Sequence, residues 1–220
     1  DRTSRGLGDV YKRQVPYFGR KAYLTQSWQL YAEAAMPALE RLYTIAPSFR
    51  AEKSRTRRHL TEFWHAEMEI AWATNDEVMN HGEGVVRHIA STLLDERSEE
   101  LQSLGRDLEL IGRYADSPFP RMRYDEAIEI LQGKGVDVEW GQDLDYSKEK
   151  ILTQDFDVPQ FLTHYPKIAK PFYHRVDPED DKYVLCHDLL APEGYGEIIG
   201  GGERTLSLIH ISEPTRRTII

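Results

Sequence analysis

The stretch 60–72, LTEFWHAEMEIAW, leaves the chain around it little freedom. Trp64, Ala66, Met68, Ile70 and Trp72 fall on one side of a period-two alternation, and Phe63, His65, Glu67 and Glu69 on the other. That is the pattern of a strand with one apolar and one polar face. A second extended run, 42–52, precedes it, and the polar connection carries Lys53, Arg55, Arg57 and Arg58. The two runs predict an antiparallel hairpin with a charged tip, its apolar face turned to a core and its polar face forming a floor.

The floor and the tip suggest a ligand. Arg50, Arg58 and His59 supply fork-shaped, multi-donor groups for phosphate oxygens, and Phe63 supplies an aromatic plate for a base. A purine nucleoside triphosphate fits these groups. The same residues also suit a solvated basic loop on a surface hairpin. Their order, Phe-Arg-x-Glu, a basic loop, then Arg-His-Leu-x-Glu-Phe and an acidic strand, resembles motif 2 of the class II aminoacyl-tRNA synthetases in its aspartyl and asparaginyl branch. The resemblance implies that Arg50 grips the α-phosphate of ATP and that Arg58, His59 and Leu60 meet the outer phosphates. It implies further that Phe63 stacks on adenine, and that Arg50 and Glu52 hold the nucleotide for catalysis.

Upstream, TQSWQLYAEAAMPAL reads as a helix with Ser27 as N-cap, an apolar stripe of Leu30, Tyr31, Ala34, Ala35, Ala38 and Leu39, and Pro37 shortening or kinking it. Gln29 and Glu33, four apart, project from one face together. Alone, this is the polar edge of an amphipathic helix. In the family it is similar to the segment before motif 2 that floors the amino-acid pocket, where aspartyl enzymes carry Gln-Leu-Tyr-Lys. This chain has Gln29-Leu30-Tyr31-Ala32-Glu33, without the lysine and with a carboxylate one position later, as in the asparaginyl branch. A carboxylate accepts from an amide NH₂ and repels another carboxylate, so Glu33 is the expected discriminator of asparagine from aspartate. Ser27, Gln29 and Glu67 complete the implied amino-acid site, with Glu67 meeting the substrate ammonium.

Length and composition frame these readings. The chain has 220 residues, 40% of them hydrophobic, and a net charge of −9, which suits one globular domain. Its acidity argues against a general nucleic-acid coat, so any RNA contact must be local. The single cysteine, Cys186, permits no intramolecular disulfide and no cysteine zinc site, and makes a reducing cytoplasm the default. No apolar run reaches membrane-spanning length. Residues 1–14 and 206–220 show neither period nor capping logic, resemble translated sequencing-adapter sequence, and are expected to lie outside a partial catalytic domain of residues 15–205.

Residues 74–108 carry a helical period, with Thr74 or Asn75 as cap, Asp76 and Glu77 in the first turn, and a buried stripe of Val78, Gly82, Val85, Val86, Ile89 and Leu93. His81 and His88 lack the i, i+4 spacing of a helical metal pair and are expected to be structural or exposed. A linker at 115–120 leads to a helix over 125–132 closed by Gly133, and a further helix is expected over 147–153. The order Phe-Pro-Arg-x-x-Tyr-x-x-Ala-Ile-x-Ile-Leu, then Glu-Trp-Gly-x-Asp-Leu, again resembles asparaginyl enzymes.

The last third reads as three strands, VPQFLTHYP, KYVLCHDLL and a glycine-laden third ending in Gly200-Gly201-Gly202. Glycines admit close approach to the backbone, and a lone glycine run is equally a bulge or a flexible loop. This run sits between Glu197 and Arg204, with Asp188 upstream, and one or two carboxylates beside phosphates suit Mg²⁺. The run Gly-Glu-Ile-Ile-Gly-Gly-Gly-Glu-Arg is similar to the family's GEIxGGxxR segment. By that resemblance Glu197 binds magnesium and ATP, Asp188 is a second metal-side carboxylate, and Arg204 reaches the substrate side chain.

The resemblance implies an α+β fold, an antiparallel sheet flanked by helices. It implies asparagine, ATP and tRNA(Asn) as partners, a homodimer and no membrane. Motif 1 should lie before Val15, motif 3 after Arg204, and an anticodon-reading domain further upstream, so the chain by itself is not expected to complete the reaction. An asparagine synthetase of the same core, a non-discriminating aspartyl enzyme and an inactive paralogue serving as a binding module stay open as alternatives. Of these, the aspartyl enzyme should carry lysine at Ala32.

Overall fold

The structure, a computed structural model, describes residues 14–50 and 60–206. They fall into two compact units, Asp1–Trp72 and Ala73–Ile220, where length alone gave one domain. Each β-sheet closes within its own unit.

The first unit opens with a hairpin of β1 (Gln14–Tyr17) and β2 (Arg20–Tyr23). Its two-residue turn has positive φ at both positions, Phe18 at 46° and Gly19 at 76°, the backbone that suits the twist of the flanking strands. Helix α1 (Gln29–Leu39) follows. Pro37 sits in its last turn, and Glu40, at φ 56°, turns the chain out while its N–H donates to the Met36 carbonyl.

Strands β3 (Arg41–Phe49) and β4 (Glu62–Ile70) pair antiparallel in register from Arg41↔Ile70 to Phe49↔Glu62, as the alternation requires. The burial of the two faces is the reverse of expectation. Phe63, His65, Glu67 and Glu69 are half-buried, whereas Tyr43, Ile45 and Trp64 are 79%, 64% and 73% exposed. The reason lies in where α1 starts: Ser27 Oγ and the Trp28 N–H both donate to Glu67, which puts the helix start on the polar face. The apolar stripe of α1 is likewise rotated. Leu30, Tyr31 and Leu39 are exposed and Ala32 is fully buried, because an alanine-rich helix offers several similar faces and its neighbour selects one.

The second unit is a four-stranded sheet in the order β5 (Arg121–Arg123), β6 (Gln160–Pro166), β7 (Tyr183–Ala191) and β8 (Gly196–Gly202). Its pairs are antiparallel except the first, β5 with β6, which is parallel. The long helix α2 (Asn75–Ser103) begins with a full capping box, Thr74 with Glu77, as its opening residues predict. Its buried positions are Asn75, Met79, Gly82 and Ala90; of the expected stripe Gly82 is buried and Val86 packs on the core, whereas Val85, Ile89 and Leu93 face outward. Gly82 faces the sheet, where a Cβ would meet Ile199 Cδ1 at 3.6 Å and Phe161 at 4.0 Å, ordinary packing distances. Phe161 and Leu189, fully buried under α2 with Met79 and Phe119, each contribute about 2 kcal/mol of burial.

The helical run does not continue to residue 108. It stops at Ser103, and Asp107 caps a separate helix α3 (Leu108–Asp116). Helices α4 (Tyr124–Gly133) and α5 (Tyr146–Thr153), the latter capped by Asp145, cover the other sheet face. There Tyr124, Ile128, Leu131 and Leu152 pack on Leu162, Tyr165, Val184 and Leu190. His81 and His88 are exposed on α2. No helix among the described residues is long and apolar enough to cross a membrane.

Candidate functional site

The candidate side chains fall in both units. In the first, the polar face of β3–β4 carries them because strand alternation places Ser48, Phe63, His65 and Glu67 on one side. The Arg50 N–H donates to the Thr61 carbonyl at 2.9 Å, closing the hairpin, and its guanidinium lies 5.4 Å from the centre of the Phe63 ring. Phe63 also tilts against His65 at 5.4 Å. Glu52, Arg58 and His59 lie outside the described residues, and Leu60 is exposed at the edge of β4.

Ser48, His65 and Glu67 have the composition of a nucleophilic triad without its geometry. Ser48 Oγ lies 3.2 Å and Glu67 Oε2 3.3 Å from the same imidazole nitrogen, Nδ1, whereas a relay needs the hydroxyl and the carboxylate on opposite nitrogens. Burial, offset in part by Glu67 and reinforced by Arg50, lowers the His65 pKa and favours the neutral ring.

Glu67 accepts from Ser27 Oγ at 2.5 Å and from the Trp28 N–H at 3.0 Å. Ser27 thus precedes the helix it was expected to cap. The N-cap is Trp28, which makes no side-chain cap bond, and Ser27 Oγ accepts from the Gln29 N–H at 3.1 Å. Gln29 and Glu33 meet as their spacing predicts, Gln29 Nε2 donating to Glu33 Oε1 at 2.8 Å.

In the second unit β7 and β8 set the geometry. Asp188 pairs with Gly200 across the ladder, and a methyl group on Gly200 would come within 2.8 Å of Glu197 Oε1 and 3.3 Å of Asp188 Oδ1. Glycine therefore lets two carboxylates converge over the strand, a donor set that fits Mg²⁺ completed by phosphate oxygens and water. Among the described residues no group of three or more His, Cys, Asp or Glu is arranged to hold a metal. The other oxygen of Asp188, Oδ2, is 2.7 Å from Lys170 Nζ, and that ammonium sits 3.8 Å above the Tyr165 ring. Burial disfavours charge on Lys170, but the Asp188 carboxylate outweighs it and raises the ammonium pKa.

The sequence reading missed Lys170, Tyr165, Tyr173 and His174. Lys170, Tyr173 and His174 lie in the irregular connection 167–182, where no periodicity marks a residue as inward-facing. Arg204 lies with its guanidinium carbon 4.8 Å from the centre of the Tyr173 ring. The His174 ring stands where a Gly202 side chain would be, its Nδ1 buried without a hydrogen-bond partner among the described residues. Burial first, then Arg204 and Lys170, lower its pKa to about 3.

A histidine that charges in the unfolded chain near pH 6.5 but stays neutral when folded stabilises the fold above that pH, and the contribution drains away as pH falls toward 3. By pH 5 His174 should have withdrawn roughly 2 kcal/mol. His187, lowered to about 4 chiefly by burial, acts in the same direction. Urea unfolding of the chain at pH 7.5 and pH 5 should show this loss, and His174→Leu should flatten the dependence in part. An identical dependence in the variant would remove His174 as its source.

The model of the tRNA synthetases class II (D, K and N) matches residues 8–215. The asparagine–tRNA ligase of Thermococcus gammatolerans is 51% identical over 191 residues, 87% of this chain and 44% of that protein. Asparaginyl-tRNA synthetase from Pyrococcus horikoshii, solved with asparaginyl-adenylate, superposes with a TM-score of 0.85 at 50% identity, covering 91% of this chain and 46% of that one. The Entamoeba histolytica asparaginyl-tRNA synthetase gives a TM-score of 0.82 at 30% identity, over 93% of this chain and 47% of that one. The chain thus spans less than half the length of these relatives. The match to the family model takes in both units and the hairpin and glycine strand that carry the polar groups, and the chain belongs to the class II tRNA synthetases of the D, K and N group.

Proposed function

We propose that the full-length protein carrying this segment activates asparagine with ATP and transfers it to tRNA(Asn). The observation that carries the choice of amino acid is the Gln29–Glu33 pair on α1, with alanine at position 32 where an aspartyl enzyme would place lysine. A pocket carboxylate favours an amide over a second carboxylate. The relatives named asparagine–tRNA ligase support the same choice.

In the reaction an oxygen of the asparagine carboxylate attacks the α-phosphorus of ATP, the bond to the β-phosphate oxygen breaks, and pyrophosphate leaves. No protein nucleophile is needed, so positioning and charge neutralisation carry the chemistry. In the first unit Arg50 meets the α-phosphate, with Glu52, Arg58, His59 and Leu60 completing the ATP contacts and Phe63 against the base. Ser27, Gln29, Glu33 and Glu67 take the amino acid. In the second unit Asp188 and Glu197 hold Mg²⁺, which when bound neutralises phosphate charge, and Arg204 meets the substrate side chain. We infer a homodimer in the cytoplasm from the family resemblance and the single buried cysteine.

The test is ATP–pyrophosphate exchange by the full-length protein with asparagine and with aspartate, followed by acylation of tRNA(Asn). Exchange should depend on asparagine, with aspartate at least about tenfold poorer in kcat/KM, the discrimination expected of a buried polar contact. Equal use of aspartate would overturn the choice of substrate. Release of free asparagine from aspartate and ammonia, without tRNA acylation, would favour the synthetase alternative.

A further inference from the structure

Arg204 is held by a segment distant in sequence. The Thr205 N–H donates to the Tyr173 carbonyl and the Arg175 N–H to the Glu203 carbonyl, both at 2.8 Å, with His174 and Arg204 forming an antiparallel bridge between them. Arg175 also pairs with the Glu203 side chain, which accepts from the Asn75 N–H at 3.3 Å. Both backbones flanking Arg204 are therefore fixed.

The side chain has its own support. The Tyr173 ring lies beneath the Arg204 guanidinium, and it is braced edge-on by Phe172 at 5.6 Å and tilted against His174 at 4.8 Å. A guanidinium held over a ring face is restricted in where its planar fork of N–H donors can lie, and so in how it can meet a planar amide. His174 stays neutral here, so the brace adds no charge that would repel Arg204.

We propose that Tyr173 is a positioning residue for Arg204, its ring face setting the guanidinium for the asparagine side chain; this rests on Arg204 being the group that meets that side chain. Because the contact is to the ring and not the hydroxyl, aromatic replacements should preserve it and an aliphatic one should not.

The experiment measures KM for asparagine and for ATP, together with melting temperature, in the full-length protein and its Tyr173→Phe, Tyr173→Trp, Tyr173→Leu and Arg204→Ala variants. Tyr173→Leu should raise the asparagine KM on the order of tenfold and leave the ATP KM unchanged, while Tyr173→Phe and Tyr173→Trp stay within about twofold. If Arg204→Ala impairs asparagine use and Tyr173→Leu does not, the positioning role is wrong and the reading of Arg204 stands. If Arg204→Ala itself leaves asparagine kinetics unchanged, that reading fails and the role of Tyr173 falls with it. Loss in Tyr173→Phe equal to that in Tyr173→Leu would assign the effect to the hydroxyl. A joint rise in both KM values with a lowered melting temperature, or a Tyr173→Leu protein that does not fold while Tyr173→Trp loses asparagine binding, would reduce Tyr173 to a structural residue.

Discussion

Arg50→Ala in the full-length protein should lower asparagine-dependent ATP–pyrophosphate exchange by at least about two orders of magnitude, the scale of a lost electrostatic contact to a charged transition state. The fold should hardly notice. The Arg50 backbone closes the hairpin through its N–H to Thr61, which alanine retains, and the side chain is exposed apart from its contact with the Phe63 ring. Such a contact at an open site contributes about 0.5–1 kcal/mol. Exchange rates and urea unfolding measured together separate the two effects. Exchange within a few-fold of the parent, at unchanged stability, would exclude Arg50 from contact with the reacting phosphate.

Glu33→Gln should cost asparagine on the order of tenfold to a hundredfold in kcat/KM, because a hydrogen bond to a charged acceptor is worth about 1.5–3 kcal/mol. In the parent, Gln29 donates to Oε1 of Glu33, which orients the carboxylate, and in the proposed role Oε2 accepts from the substrate amide. The glutamine variant presents either end of its amide to Gln29 and to the substrate, and the repulsion toward aspartate disappears. Aspartate should therefore gain relative to asparagine. A ratio of the two kcat/KM values that does not move would place discrimination elsewhere. Adding the lysine that the aspartyl resemblance would place at position 32 has a separate cost. Ala32 is fully buried, so Ala32→Lys would force a long cation into a closed space, and lost stability is the expected result.

The parts of this structure legible in the sequence are those fixed by local chemistry. Alternation gave the strand β4, the Thr74–Glu77 box gave the start of α2, and the i, i+4 spacing gave the Gln29–Glu33 bond. What failed was the choice of face. On α1 and the hairpin the apolar residues are spaced correctly, yet the side that becomes buried is decided by a tertiary neighbour, Glu67 drawing the start of α1, and on α2 only part of the expected stripe, Gly82 and Val86, meets the core. Periodicity does not encode such a neighbour. The site divided in the same way. Motif order named Arg50, Glu197 and Arg204, but Lys170 and Tyr173 sit in an irregular connection and become visible only when Asp188 and Arg204 are in place beside them.

The three glycines of β8 leave a distinctive mark on what descendants of this sequence can explore. Each is claimed by a different occupant: the carboxylates of Glu197 and Asp188 stand over Gly200, the His187 ring over Gly201, and the His174 ring with Cys186 over Gly202. A single-base change in the first two letters of a glycine codon adds at least a methyl group, so nearly every coding change at three neighbouring codons collides with a side chain that belongs to another position. Escape would need a paired change, in the strand and in its occupant, and the three occupants differ. Lineages should therefore keep this tripeptide while exposed surface positions drift, and where a non-glycine residue does stand at one of the three positions, its particular occupant should have changed with it.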